Sequence, residues 1–229
     1  MKKRISYDLR ACDPGWPGNP KVEVSPFTQI EKGDSCNQYV MTLFNHFGSH
    51  MDGARHFNNQ GRRLCEEPFD RFFYDRPLLI DVPKQAGEAI TQEDLEPWYE
   101  RIAGADLLML RTGSAEVRTN DPRCYAENGP YVTPSAAQYL MEHFGSQLKA
   151  IALDTISLGS PAATEDGGVT HEIMLGCHRD SEAICIIEDV SFAGLEPDSI
   201  ISAVAMPLFV EKIDSAPVTM WVEIDDACK

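Results

Sequence analysis

Four side chains of the kind that hold divalent metals, His46, His50, Asp52 and His56, fall within eleven residues, all at even positions. This run constrains the fold more than any other part of the chain. Imidazole and carboxylate are the usual ligands of zinc, manganese and iron(II), and three of the chain's six histidines are spent here. On an ideal strand the four would share one face, but ten residues of extended chain reach about 33 Å, far beyond bonds of about 2 Å to one ion. A helix would align His46 with His50 but rotate Asp52 away, and it would carry Gly48 and Gly53 in its interior at about 1 kcal/mol each. The chain is therefore expected to bend. Extended backbone with Gly48 and Gly53 as corners in unusual dihedrals lets His50 and Asp52 point the same way while the outer histidines fold inward. The chemistry this favours is metal-dependent hydrolysis.

Composition narrows the partners. Acidic residues number 36 against 20 basic ones, a formal net charge of −16, which argues against nucleic-acid or anionic-membrane partners and for a small-molecule substrate. At 229 residues the chain can bury a substantial core without disulfides, so a metal would serve function more than folding. The seven cysteines are odd in number and contain no C-x-x-C pair, as expected of free thiols in a reducing compartment. Met1 to Arg4 is basic but is not followed by an apolar signal region, and no run is long enough to span a bilayer. A cytoplasmic location is the expectation.

Ile5 to Leu9 alternates like a short strand, and residues 13–20 form a turn-rich loop that offers Trp16 either to a core edge or to a substrate pocket. Val22 to Ile30 and Tyr39 to Phe44 read as strands leading into the histidine run, which would then leave a strand. Residues 57–63 read as a polar excursion at the mouth of the site. Arg76 to Val82, Ala105 to Leu110, Ala150 to Asp154 and Ile184 to Glu188 are apolar runs of strand length, and Ile200 to Val210 and Val218 to Ile224 close the chain as further strands. Thr91 opens a helix over Glu93 to Ile102, and Thr133-Pro134 caps a second with Ala137, Leu140, Met141 and Phe144 on one face. His143, on that second helix, has no ligand-type neighbour and is expected to be an ordinary helix histidine. Gly159 to Gly168 reads as a loop with His171 directly after it. The pattern predicts one α/β domain over residues 1–229 with a mixed, partly parallel sheet.

The run from His46 to His56 resembles the H-x-G-T-H-x-D-x-P-x-H signature of the cyclase family, which includes bacterial kynurenine formamidases and related metal-dependent amide hydrolases. Ser49 stands where the family has Thr and keeps the hydroxyl; Ala54 stands where it has Pro and removes a rigid turn before His56. Tyr7-Asp8-Leu9 with Trp16-Pro17-Gly18, Arg111-Thr112-Gly113, Leu153-Asp154-Thr155-Ile156-Ser157 and Asp214-Ser215-Ala216-Pro217-Val218 extend the resemblance over nearly the whole chain. It implies the family's swivelling β/β/α fold and a homo-oligomer, a dimer or higher. By the same resemblance His46, His50 and Asp52 bind one divalent metal, Zn²⁺ or Mn²⁺, and Asp52, His171 and Glu188 hold a second, for one or two ions per chain. Residues 178–182 lengthen the interval before Glu188, so Glu172 and Glu182 compete for the distal carboxylate role; Glu188 is preferred because it ends an apolar strand.

The resemblance further implies that His56 is the general base and acid of an amide hydrolysis by metal-activated water, the alternative for His56 being a residue that only orients a ligand. An aryl formamide such as N-formylkynurenine is the leading substrate, and a cyclic amide, imide or lactone the second. Ser49 or backbone amides near Gly48 are candidates for stabilising the oxyanion, and Trp16, Phe44, Phe47, Phe69, Phe72 and Phe73 for walling the pocket. The competing class is a metal-binding protein without catalysis, which the changes at Ser49 and Ala54 allow.

Overall fold

A computed structural model of the chain describes residues 1–177 and 183–225. Residues 178–182, with the candidate ligand Glu182, lie outside the described residues. In chain order the strands are β1 (Lys2–Arg4), β2 (Glu23–Thr28), β3 (Gln38–Thr42), β4 (His50–Asp52), β5 (Phe73–Tyr74), β6 (Pro77–Asp81), β7 (Ala89–Ile90), β8 (Leu107–Arg111), β9 (Tyr131–Val132), β10 (Ala150–Leu153), β11 (Cys185–Glu188), β12 (Ile200–Pro207) and β13 (Ser215–Ile224). The helices are α1 (Gln92–Leu95), α2 (Tyr99–Ile102), α3 (Ser114–Asn120), α4 (Pro122–Asn128), α5 (Pro134–Phe144) and α6 (Thr164–Met174).

The main sheet has the order β5-β12-β13-β4-β11-β10-β8-β6, with β1 paired to β13. Strands β6, β8, β10 and β11 run parallel; β4 is antiparallel to both its neighbours, and β13 to β12 and β1. Only Asp75 and Arg76 separate β5 from β6, although these strands stand at opposite ends of the order. The sheet therefore curls back on itself until it is nearly closed. Strand alternation then sorts the core. Leu79, Leu107, Met109, Ile187 and Met51 point into the curled sheet, while Ile80, Leu108, Leu110, Ile151 and Ile186 point outward under α5 and α6. The mixed α/β architecture expected from the sequence is the one observed.

Several local expectations change. The first edge strand is β1 and not Ile5 to Leu9, because the Tyr7 amide donates to Ser49 Oγ (2.9 Å) instead of continuing a ladder. Residues 164–168 belong to α6, not to a loop; their glycines lie where a Cβ on Gly159 would stand 2.8 Å from the Gly167 Cα, so the helix seats by close backbone approach. The helix of residues 92–102 is interrupted by a 3₁₀ turn at Pro97. Helices α3 and α4 were not foreseen. Strands β2 and β3 form a separate two-stranded hairpin whose Val24, Phe27, Tyr39, Val40 and Met41 are all exposed. All six described cysteines are free thiols, and among the described residues no helix is long and apolar enough to cross a membrane.

Candidate metal centre

The histidine run does not leave a strand; its centre is one. Gly48, with φ of +70°, turns the chain into the three-residue β4, which lies between β11 and β13. Met51 enters the core, so His50 and Asp52 face the helix side, and the register places Glu188 directly opposite His50. Gly53 differs from expectation: its φ of −91° is open to any residue, and its need for glycine is spatial, since a Cβ would lie 2.8 Å from the Asp214 carbonyl. A 3₁₀ turn over Ala54–His56 follows and swings His56 back over the strand. From the other side α6 lowers His171 onto the same point, at the carboxyl ends of the parallel strands.

Asp52 is the hub. It is 1% exposed, and both carboxylate oxygens are buried without a hydrogen-bond partner. Four imidazoles surround it. His46 Nδ1 stands 3.1 Å from Oδ1, outside hydrogen-bond alignment, with His50 Nε2 at 3.6 Å, His171 Nε2 at 3.8 Å and His56 Nε2 at 4.0 Å from its oxygens. Glu188 completes the cluster, with Oε2 3.1 Å from His50 Nε2 and Oε1 3.4 Å from His171 Nε2. Ser157 Oγ (2.9 Å) and the Leu158 amide (2.6 Å) donate to Glu188 Oε1 and hold the carboxylate in place. His50 Nδ1 pairs with the Gly48 carbonyl (2.7 Å) and His171 Nδ1 with that of Gly167 (2.6 Å), so both rings are oriented with Nε2 toward the carboxylates.

The electrostatics are those of acids and imidazoles crowded together in a buried site. Burial and the charge of Glu188 push the Asp52 carboxyl up, yet the neighbouring imidazoles prevail and hold it below the usual range. Burial disfavours charge on His46, but its hydrogen bond to Asp214 and the adjacent negative charge of Asp52 raise it to about 10. Against burial, Glu188 and Asp52 likewise raise His50 and His171. A buried carboxylate with no donor is costly, and a divalent ion is the partner that satisfies both of its oxygens. Two groups, His46 with Asp52 and His56, and His50 with Asp52 and Glu188, each have donor atoms within 4.8 Å of one another. The residues present fit a metal, with Asp52 common to both groups. The β4–β11 register sets His50 against Glu188.

A cavity of about 370 Å³ opens over the cluster, walled by Trp16, Phe44 and Phe57 and bordered by Asn19, Ser157 and Thr164. Phe57 stacks on His171 with ring centroids 5.0 Å apart.

A search of family profiles matches residues 4–160 to the Cyclase family. The chain belongs to the Cyclase family. It is 27% identical to a kynurenine formamidase of Geobacillus thermodenitrificans over 216 residues, 93% of each chain, and 35% identical to an uncharacterized protein of Haemophilus influenzae over 126 residues, 55% of this chain and 88% of that one. Its fold is that of isatin hydrolase A from Ralstonia solanacearum, with a TM-score of 0.79 at 15% identity, covering 98% of this chain and 92% of that one. A solved structure described as a predicted metal-dependent hydrolase from Bacillus stearothermophilus gives a TM-score of 0.71 at 16% identity, covering 97% of each chain.

All six residues singled out from the sequence, His46, His50, Asp52, His56, His171 and Glu188, line this one cavity. Glu172, one position from His171, does not. His143 lies apart among Tyr99, Tyr139 and Phe144. Ser49 is not available to an oxyanion: its hydroxyl donates to the Asp189 carbonyl and accepts from the Tyr7 amide. Of the aromatic candidates Trp16 and Phe44 reach the cavity; Phe47 is buried, and Phe69, Phe72 and Phe73 cluster elsewhere. Two residues beyond those expected belong to the site: Phe57, within the polar excursion, lines the cavity, and Asp214, within the closing segment, holds two of the imidazoles. Asp214 Oδ2 lies 2.8 Å from His56 Nδ1 and 3.0 Å from His46 Nε2, and burial notwithstanding, those imidazoles hold its carboxyl well below the usual range. Its role follows from the pairing of β13 with β4, which brings it beside the histidine run and has no local signal in the sequence.

Proposed function

We propose that the chain is a cytoplasmic metal-dependent hydrolase that cleaves the amide bond of a small aromatic substrate, with an aryl formamide such as N-formylkynurenine the leading candidate. The observation that carries the reading is Asp52, whose two buried oxygens lack any donor while four imidazoles and Glu188 surround them. Asp52, His46, His50, His171 and Glu188 would hold the ion or ions, and this mixed nitrogen and oxygen set suits Zn²⁺ or Mn²⁺. When bound, the metal supplies Lewis acidity that polarises a carbonyl and lowers the pKa of water.

The chain's own residues do the rest. Asp214 fixes His56 through Nδ1, so Nε2 faces Asp52 and the cavity and can accept a proton from water. The same nitrogen then returns that proton to the departing amide nitrogen, without which an amine is a poor leaving group. Trp16, Phe44 and Phe57 give a planar ring apolar walls, and Asn19 and Thr164 offer polar contacts at the border. A neutral cyclic amide is the second reading. It is favoured by the cavity lining, which among the described residues contains no Lys or Arg to meet an amino-acid carboxylate.

A panel of N-formylkynurenine, formanilides, cyclic imides and lactones, run on protein of measured metal content, tests both readings. Hydrolysis of none by metal-loaded protein would leave a metal-binding protein without catalysis. His56→Ala is expected to keep its metal and lose turnover, and retained turnover would remove His56 from the mechanism.

A further inference from the structure

Directly behind the cluster lies a buried ion pair that the chemistry above does not use. Asp189 follows Glu188 at the end of β11, is 1% exposed, and has φ of +53°, a left-handed conformation that side chains other than glycine adopt at a cost of about 1 kcal/mol or more. Arg118 on α3, itself only 9% exposed, grips its carboxylate with both arms of the guanidinium, Nε to Oδ1 at 2.7 Å and Nη2 to Oδ2 at 3.0 Å. Tyr125 OH donates to the same Oδ1 at 2.6 Å. The backbone of Asp189 is held as firmly. Its amide donates to the Thr155 carbonyl (2.9 Å), and its carbonyl accepts from Ser49 Oγ, one residue before His50. Arg118 also stacks 3.7 Å from the Tyr7 ring, whose residue donates its amide to Ser49, and reaches Asp13 Oδ2 at 3.5 Å, at the base of the Trp16 loop.

A buried ion pair seldom adds net stability over apolar residues of the same volume, so stability alone does not account for one placed here. The residues it joins do. Asp189 follows directly on the strand carrying Glu188, accepts from the residue that precedes the strand carrying His50 and Asp52, and pairs with a helix that belongs to neither. We infer that Arg118 and Asp189 are positioning residues for the metal centre: their bidentate pair locks the left-handed turn that aims the Glu188 carboxylate and, through Ser49, sets the height of His50. The inference rests on the metal-centre reading.

The test measures Zn²⁺ affinity by competition with a chromophoric chelator, alongside thermal unfolding of chelator-treated protein. Asp189→Asn keeps a residue tolerant of positive φ, and Arg118→Lys keeps the charge but loses the fork, so both variants should fold. Each is expected to weaken Zn²⁺ binding about 10- to 100-fold, the usual effect of removing a partner that orients a ligand. Glu188→Gln should weaken it as well, and Arg118→Lys should cost less when added to Glu188→Gln than it costs alone, because part of its effect runs through that carboxylate. A merely structural role would lower the unfolding temperature with affinity unchanged, or would add fully to Glu188→Gln; either result overturns the inference. If Glu188→Gln and Asp52→Asn also bind Zn²⁺ as the parent does, the metal centre itself is wrong and the inference falls with it.

Discussion

Replacing Asp214 by Asn tests how the cluster controls His56. The change is isosteric, so its effect comes from the lost charge and the altered hydrogen bonding and not from packing. In the parent, Oδ1 accepts from Asn45 Nδ2 (2.9 Å) and Oδ2 faces His56 Nδ1 (2.8 Å), His46 Nε2 (3.0 Å) and the Ser215 hydroxyl (3.0 Å). An asparagine that keeps its oxygen toward Asn45 turns an NH₂ toward both imidazoles. His56 must then accept at Nδ1 and carry its proton on Nε2, the nitrogen that has to be free to take one. The opposite flip sets two amide NH₂ groups against each other. Either way two charge-assisted bonds are lost, each worth about 1.5–3 kcal/mol. Together they amount to about 3–6 kcal/mol, or roughly 10²- to 10⁴-fold in rate at 1.36 kcal/mol per decade. Since Asp214 does not line the cavity, the loss should fall on kcat with KM little changed. The assay is steady-state hydrolysis of the best panel substrate under saturating metal, with metal content measured on the same samples. A kcat within about threefold of the parent, on fully loaded Asp214→Asn protein, would refute the assignment of Asp214 as the group that fixes the His56 tautomer.

Further outcomes follow from other parts of the structure. With the His46 pKa raised to about 10, the metal-free protein carries His46 protonated at neutral pH, so metal loading should release protons and affinity should rise with pH; titration calorimetry in buffers of different ionisation enthalpy checks this, and equal heats in all buffers would contradict it. By linkage, the His46 contribution to metal-free stability is complete below its unfolded pKa of 6.5 and is lost as pH rises through about 10, whereas that of Asp214, whose pKa is depressed, is lost in acid; unfolding temperatures across pH should show both flanks. Gly53→Ala forces a Cβ to within 2.8 Å of the Asp214 carbonyl and 3.0 Å of the Leu64 side chain, and should cost about 1–3 kcal/mol, a fall of about 2–12 °C by calorimetry. The β2–β3 hairpin cannot be stable alone in water, and we propose that a second copy covers it; Phe27→Asp with Val40→Asp should then reduce a dimer to a monomer by light scattering.

The sequence was most legible where chemistry and pattern coincide. The apolar runs that became β6, β8, β10 and β11 were visible because both their faces are buried, which leaves continuous hydrophobic stretches. His46, His50, Asp52 and His56 stood out because three of six histidines with an aspartate in eleven residues is dense enough for spacing to carry meaning, whereas His171 and Glu188 were reached only through the family resemblance. What could not be read depends on contacts between distant segments. Gly53 is required by a carbonyl some 160 residues away, and α6 accommodates Gly167 because it packs on Gly159; neither requirement has a local signal. Asp214, Arg118 and Asp189 are ordinary charged residues in sequence, and find their partners, half-buried for Asp214 and buried for the other two, only once the chain is folded. Helices α3 and α4 are short and mostly polar, so periodicity did not expose them.

The unpartnered carboxylate of Asp52 has a consequence for the protein's lifetime in a cell. Because it sits in the middle of the sheet and not on a loop, a cation bound to it would be tied to the same strands that close the core. Metal therefore stabilises the native state by RT ln(1 + [metal]/Kd), and chains that fail to load will open more often. Since proteolysis follows the population of open molecules when reclosing is fast, degradation should remove empty copies ahead of loaded ones. When metal is scarce, the abundance of the protein would fall with its supply, and most of the copies that persist would be those able to work.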